Sequence, residues 1–495
     1  MGSLLWPGQE PEQTRLFPPR TTEDLQLERL CAFMAYNNYF KLSVADILKT
    51  WTDDPAVIAW RQDVLRDLLD NPALPEALDQ LLDCIDVWES RSGAARQGQH
   101  DPKAMEVINL SDFSFLDSYI ERISSLADTF DGLTLRSEGM QRLGRQIQDM
   151  RNSQRFDRIR DGFEQLCKDY AMPSRISIAF NLDAELKPTG VKLLRVERKQ
   201  TKRRKLDLTR TAYNGMGSLL GKTVTGAGQG INMFVRRESM ELRALKQDLI
   251  FYLSALKLCR AWEAVGLPYC FPEIRPAGEK AFTAAELFNP LLVLTQREQI
   301  VCNDIAFAPG GELLILTGAN QGGKTVFLQS VALAQWLFQL GAAAPCRSAS
   351  ISPATEIVTV FAPSGADFTR HGLLAEEAGR IAHAVDLVTP GSLVLFNEPL
   401  NSTSPSENLA ISRDVIAAFK AGGVRGVWVT HLYELASGRE EMNARLSWGS
   451  TLGSIRIVVA HDETGTHPTY KIIRGEPEFN SYAAEVLRRK GAEIG

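Results

Sequence analysis

The run Leu313-Leu-Ile-Leu-Thr-Gly318-Ala319-Asn320-Gln321-Gly322-Gly323-Lys324-Thr325 decides the fold. Its first half is a short apolar stretch of the kind that forms a buried strand. Its second half fits G-x-x-x-x-G-K-[ST] throughout. The glycines let backbone N–H groups turn inward around phosphate oxygens, the lysine reaches the β/γ-phosphates, and the threonine hydroxyl suits Mg²⁺. Helical sequence resumes near Val326 and would aim the positive end of its dipole at the same anion. The stretch therefore predicts an α/β P-loop NTPase fold that takes ATP and Mg²⁺. Gly318, Ala319, Asn320, Gln321, Gly322, Gly323, Lys324, Thr325 and Val326 are its expected nucleotide contacts.

Two further strand-like runs follow. Ser392-Leu-Val-Leu-Phe-Asn397-Glu398 is an apolar run ending in polar groups. In P-loop ATPases such a strand lies beside the first one, its terminal acid helps hold Mg²⁺, and a following glutamate orients or deprotonates water. Glu398 suits the second role. Asn397 occupies the metal-side position with Thr325, and an amide brings no negative charge, so weak metal holding and slow hydrolysis are expected. The alternative is a purely structural strand end. Gly426-Val-Trp-Val-Thr-His431 is a third strand with a histidine at the edge where open α/β sheets place ligands. His431 is a candidate γ-phosphate sensor, against the plainer reading of an ordinary surface or core histidine. Arg370-His371-Gly372 opens a helix running towards Val388, whose N–H groups would face a phosphate across a dimer interface.

Upstream, the pattern changes character twice. The first 21 residues are Pro-rich and polar, a loose leader. From Thr22 to about Met172 the apolar spacing is helical: Asp54-Pro55 is a helix start, Asn71-Pro72 a stop, and 76–90, 112–131 and 138–170 read as further helices. Residues 174–235 open with SRISIAFNL and VKLLRVE around a Lys-Pro-Thr-Gly turn, a hairpin pattern. Residues 236–265 form a long helix with Leu242, Leu245, Leu249, Tyr252, Leu256 and Cys259 at alternating three and four spacing. That is either a seam for another long helix or a core helix. Prolines 268, 272 and 276 mark a linker into a final α/β unit at 277–495.

Composition narrows the class. A 44% hydrophobic and 23% charged chain of 495 residues is globular and holds two to four domains. No apolar run approaches the ~20 residues of a membrane span. No signal peptide opens the sequence, and the seven cysteines form no CxxC pair, so a reducing cytoplasm is expected, without disulfides or structural zinc. The net charge of −5 conceals a basic segment at 192–210, with nine Lys/Arg against Glu197 and Asp207. Lys199, Lys202, Arg203, Arg204 and Lys205 are candidates for DNA phosphate contacts, or else a solvated loop.

These segments together resemble the MutS family of DNA-repair ATPases. TGANQGGKT, LVLFNEPLNSTS and VTHLYELA are similar to that family's P-loop, acidic strand and histidine switch. NPLLVLTQREQIVCNDIAF and TYKIIRGEPEFNSYAAEVLRRKG extend the likeness, and RQDVLRDLLDNPALPEAL resembles part of the helical core. The resemblance implies an ABC-type ATPase domain at 277–495, preceded at 22–270 by a mainly helical core and lever domain with a small β-rich, clamp-like insertion. It also implies a homodimer that couples ATP to DNA in repair or recombination. Lys324, Glu398 and His431 would be its catalytic groups, and Phe288 either its adenine contact or a packing residue. The family's signature serine is replaced in Arg370-His371-Gly372. The only Phe-x-Glu, Phe271-Pro-Glu273, falls in the linker, so direct mismatch reading is not expected. The competing expectation is an ATP-gated interaction protein of little hydrolysis, acting on a protein or ribosome.

Overall fold

The computed structural model describes residues 2–8, 10, 19–35, 46–47, 50–97, 110–169, 175–182, 188–197, 242–295, 300–319, 321–361, 372–462 and 465–477. The N-terminal half runs α1 (Pro19–Asp24), α2 (Leu27–Met34), α3 (Pro55–Asp70), α4 (Ala73–Gln97), α5 (Leu110–Phe130), α6 (Glu138–Arg151) and α7 (Gln154–Asp169). Next come β1 (Arg175–Leu182), β2 (Pro188–Glu197) and α8 (Lys246–Glu263). Then follow β3 (Glu273–Ile274), β4 (Phe282–Leu287), β5 (Asn303–Ala306), β6 (Glu312–Thr317), α9 (Lys324–Gln339), β7 (Ser348–Ile351) and β8 (Ile357–Phe361). The chain continues through α10 (Leu373–Leu387), β9 (Leu393–Asn397), α11 (Pro405–Ala421), β10 (Arg425–Val429), α12 (Tyr433–Ser437), α13 (Arg439–Arg445), β11 (Thr451–Asp462) and β12 (Gly465–Arg474).

The chain divides into two compact units, one of Met1–Leu4 with Asp67–Leu249 and one of Leu5–Arg66 with Ile250–Gly495. In the first, Asp67 accepts from the N–H groups of Arg136 and Ser137 and from the Ser137 hydroxyl. Ser137 in turn caps α6 by accepting from Met140 N–H. One helix was expected over 138–170, but Asn152 and Ser153 interrupt it. An Asn-Ser pair competes for backbone hydrogen bonds, and Ser153 accepts from Phe156 N–H to start α7 anew. β1 and β2 pair antiparallel. The basic residues Lys199 to Lys205 lie outside the described residues.

The second unit is built around a sheet of order β12-β11-β6-β10-β9-β8, parallel except for β12. One face buries Ile315, Val394, Phe396 and Trp428 under Ile381, Ile416, Phe419 and Leu435 of α10, α11 and α12. Phe396 stacks on Trp428 at 4.4 Å. A second, four-stranded sheet has the order β3-β7-β4-β5. The expectation that the Glu398 strand adjoins the P-loop strand is not met: β10 lies between β6 and β9, hydrogen-bonded to both. Parallel strands are joined by crossovers long enough to pass over a neighbour, so adjacency in function does not fix adjacency in the sheet.

α9 explains why residues 5–66 group with 250–495. It is buried almost all round, so an amphipathic docking on one sheet does not suffice. Arg61 donates from Nε to Leu5 O (2.9 Å) and from Nη1 to Leu340 O just beyond α9 (3.3 Å). Gln339 donates to Thr52 O (3.0 Å), and Gln329 to Asp24 O (2.8 Å). The early helices thus close over the P-loop helix. α8 is also buried over most of its surface, with Ile250, Phe251, Leu253 and Leu258 as well as the seam residues, and only Gln247, Arg260 and Glu263 of its length exposed, which makes it a core helix.

Candidate functional site

The P-loop joins β6 to α9. Gly318 has φ +145° and Gly323 φ +87°, a region that L side chains rarely adopt. A Cβ at Gly318 or Gly322 would come within 2.8 or 2.6 Å of the Ile457 side chain on β11, so the loop is also seated too closely for anything but glycine. Gly323 caps α9 without a side-chain hydrogen bond, which leaves the first helical N–H groups for an anion. Asn320 lies outside the described residues.

Three strand ends converge on Lys324, whose side chain is 5% exposed. Its Nζ lies 2.9 Å from Gly318 O, 3.1 Å from Glu398 Oε1 and 3.2 Å from His431 Nε2. His431 Nε2 is in turn 2.7 Å from Glu398 Oε1. An Nε2–H tautomer satisfies this set: it donates to Glu398 and leaves Nδ1, 3.3 Å from Nζ, to accept from the lysine. Burial lowers the Lys324 pKa, with Glu398 opposing the shift. For Glu398, burial works upward, but the His431 hydrogen bond and the Lys324 charge overcome it and bring the carboxyl to about 2.

The turn after β9 swings Glu398 into place despite β10 intervening. Glu398 N–H still donates to Val429 O (3.1 Å), and then Glu398 and Leu400 take φ values of +53° and +61°. Such non-glycine conformations are costly and are held only where the surroundings over-determine them. Asn401 Nδ2 is 3.3 Å from Glu398 Oε2. Thr325 Oγ1 donates to Asn397 Oδ1 at 3.3 Å. A hydroxyl and an amide oxygen are hard donors that fit Mg²⁺ bound mainly by water and phosphate. No cluster of three or more His, Cys, Asp or Glu side chains suited to a metal occurs among the described residues.

Phe288 packs in the interior. It is 1% exposed and meets Trp262 edge-to-face at 5.6 Å, which is the packing alternative of the two roles expected for it. Its neighbour Asn289 serves the site from behind, donating to Val326 O and Gln329 Oε1 at 3.2 Å each. A different aromatic stands at the loop. Tyr470 is 48% exposed, and its Cδ1 would lie 3.2 Å from a Cβ on Gly323. A register shift between Ile457 and Val459 leaves 469–471 bulged on β12, and Tyr470 takes φ +60° there. Asn303 braces the bulge, donating to Tyr470 O (3.0 Å) and accepting from Ile472 N–H (2.8 Å). Sequence reasoning missed Tyr470 because the bulge that aims it has no local signature.

Of the expected trans segment, Arg370 and His371 lie outside the described residues. Gly372, at φ +74°, caps α10. Glu377 on that helix accepts from Ser402 N–H and from the Ser402 hydroxyl, in the loop that follows Glu398. No helix of the described residues is long and apolar enough to cross a membrane.

Family models match on both sides of the chain: MutS domain V over 314–491 and the MutS2 N-terminal domain over 53–265. The chain is similar to Endonuclease MutS2 of Thermus thermophilus, 30% identical over 221 residues, 43% of this chain and 27% of that protein. Endonuclease MutS2 of Geobacillus kaustophilus is 30% identical over 226 residues, covering 45% and 26%. DNA mismatch repair protein MutS of Chlorobium phaeobacteroides is 29% identical over 228 residues, covering 45% and 25%. The matched stretch thus spans about a quarter of each of these relatives. With a P-loop ATPase-type domain at one end and the MutS2 helical domain before it, the chain belongs to the MutS family.

Proposed function

We propose that this chain binds and hydrolyses ATP as a homodimer and couples that cycle to DNA in repair or recombination, without direct mismatch reading. The observation that carries the ATPase reading is the shared position of Lys324, held at once by Gly318 O, Glu398 and His431. Glu398 here supplies the negative charge that a phosphate would otherwise bring. An incoming triphosphate competes for Lys324, and as the lysine turns to phosphate, Glu398 loses one of the two partners that hold its pKa down, the His431 hydrogen bond being the other. Losing the lysine charge makes the carboxylate more basic towards an attacking water. His431 stays within reach of both groups and senses the γ-phosphate. Thr325 and Asn397 would hold Mg²⁺, which when bound offsets phosphate charge. Tyr470, at the mouth of the loop, contacts the base in place of Phe288.

The dimer reading draws on α10. Leu374, beside the Gly372 cap, and Val385, three turns further along, are both exposed on one side of that helix. DNA contact would come from Lys199, Lys202, Arg203, Arg204 and Lys205.

ATP turnover by the purified chain, alone and with linear, branched and mismatched duplexes, tests the proposal. Turnover that rises with one DNA form and vanishes in Lys324→Ala supports it. Turnover unchanged in Lys324→Ala would refute the site. A second reading, ATP-gated binding to a protein or ribosome with little hydrolysis, is favoured by Asn397, which brings no charge to the metal side. Tight ATP binding with slow turnover indifferent to every DNA form would select that reading.

A further inference from the structure

Cys270 and Cys346 lie 76 positions apart in sequence, and the fold brings their sulfurs to 3.5 Å. Cys270 sits in the segment between α8 and β3, and Cys346 in the turn between α9 and β7. A backbone bridge fixes the two segments against each other: Cys270 N–H donates to Ala344 O (3.2 Å) and Ala344 N–H to Cys270 O (2.8 Å). Cys346 N–H closes its own turn on Ala344 O (2.9 Å). A disulfide needs about 2.05 Å between sulfurs, so side-chain adjustment of roughly 1.5 Å would join them. Access is unequal, since Cys270 is partly exposed and Cys346 fully buried.

We propose that Cys270 and Cys346 are a two-cysteine redox site that hydroperoxides convert to an intramolecular disulfide. The Cys270 sulfur attacks one peroxide oxygen of H₂O₂ and the O–O bond breaks. The displaced hydroxide leaves as water with the thiol proton, and Cys270 becomes a sulfenic acid. The Cys346 sulfur then attacks the Cys270 sulfur, the S–O bond breaks, and a second water leaves with the Cys346 proton. Two thiols lose two electrons and one peroxide becomes two waters.

The difference in exposure assigns the roles, and the electrostatics agree with it. The hydrogen bond from Cys346 and another from Ala349 N–H hold the Cys270 thiol below its ordinary range, against burial. Donating that bond, and burial, push the Cys346 thiol well above it. Cys270 is therefore the attacking thiolate and Cys346 the resolving thiol that stays protonated until needed. The bridge would tie the segment ahead of β3 to the turn that ends α9, the helix whose other end is the P-loop.

The test is H₂O₂ treatment of the native full-length chain, thiol blocking, and peptide mapping without reduction. Two of the seven thiols should disappear, the intact mass should fall by two hydrogens, and one cross-linked peptide should contain Cys270 and Cys346. Dithiothreitol should reverse all three changes. In Cys346→Ser the intermediate should persist as a sulfenic acid on Cys270 that dimedone captures. Oxidation of other cysteines with no Cys270–Cys346 peptide would overturn the proposal, as would dimedone labelling of Cys346 in preference to Cys270. The wild-type map decides by itself if Cys346→Ser fails to fold.

Discussion

At the scale of single residues the site is a balance of three charged or chargeable groups, and Glu398→Gln upsets it in two separable ways. Without the carboxylate, no group takes the proton from water, so turnover should fall about 10²–10⁴-fold while ATP binding survives. Rapid-quench turnover beside filter binding separates the two, and normal turnover would remove Glu398 from the base role. The same substitution changes the acid limb of stability. Glu398 is depressed from 4.5 to about 2 in the folded chain, so its contribution is fully present above pH 4.5 and is lost as pH falls through 2. Denaturant titrations should show the wild type more stable than Glu398→Gln at neutral pH, with the gap closing between pH 4.5 and 2. Tyr470→Ala should weaken ATP binding by about 1–3 kcal/mol, roughly five- to 150-fold in Kd, while Tyr470→Phe keeps it. Equal affinity in all three would place the ring outside the nucleotide site.

Among elements, α9 couples the phosphate loop to a covered C-terminal end, and Gly341 marks how tightly that end is closed. Its φ is +76°, and a Cβ there would fall 2.4 Å from Arg61 Cβ and 3.2 Å from Ile58 O. Gly341→Ala should therefore cost about 1–3 kcal/mol, from left-handed strain and from pushing α3 away. A thermal midpoint equal to wild type would show that α3 is not seated there. Elements of this kind were only partly legible in the sequence. The P-loop, the strand ending at Glu398 and the strand ending at His431 each announce themselves in consecutive residues, because apolar runs and glycine spacing are local. Asn152-Ser153 was not recognised as a break, since the apolar spacing runs on through it. The order β6-β10-β9, the bulge that turns out Tyr470 and the meeting of Cys270 with Cys346 depend on long-range pairing, which one segment cannot reveal.

For the molecule as a whole, charge and topology pull on different parts of the chain. The grouping of 5–66 with 250–495 could not be read from composition, because it follows from α9 needing cover on every side. The basic run at 192–210, by contrast, begins in β2, and the candidates Lys199 to Lys205 lie outside the described residues, so its role is tested on DNA directly. An acidic protein of net charge −5 is repelled from a polyanion at long range, so DNA binding would have to be carried by a local cluster that displaces condensed counterions. Each phosphate neutralised contributes about 0.9 to the slope of log K against log salt. Replacing Lys202, Arg203, Arg204 and Lys205 by glutamine should lower that slope by roughly 3–4 and weaken linear, branched and mismatched duplexes alike, because phosphate contacts carry no sequence information. ATP binding to Lys324 and the P-loop should be unaffected by the same four changes. A salt slope that stays at its wild-type value would assign the cluster to solvent and direct the search for the DNA surface elsewhere.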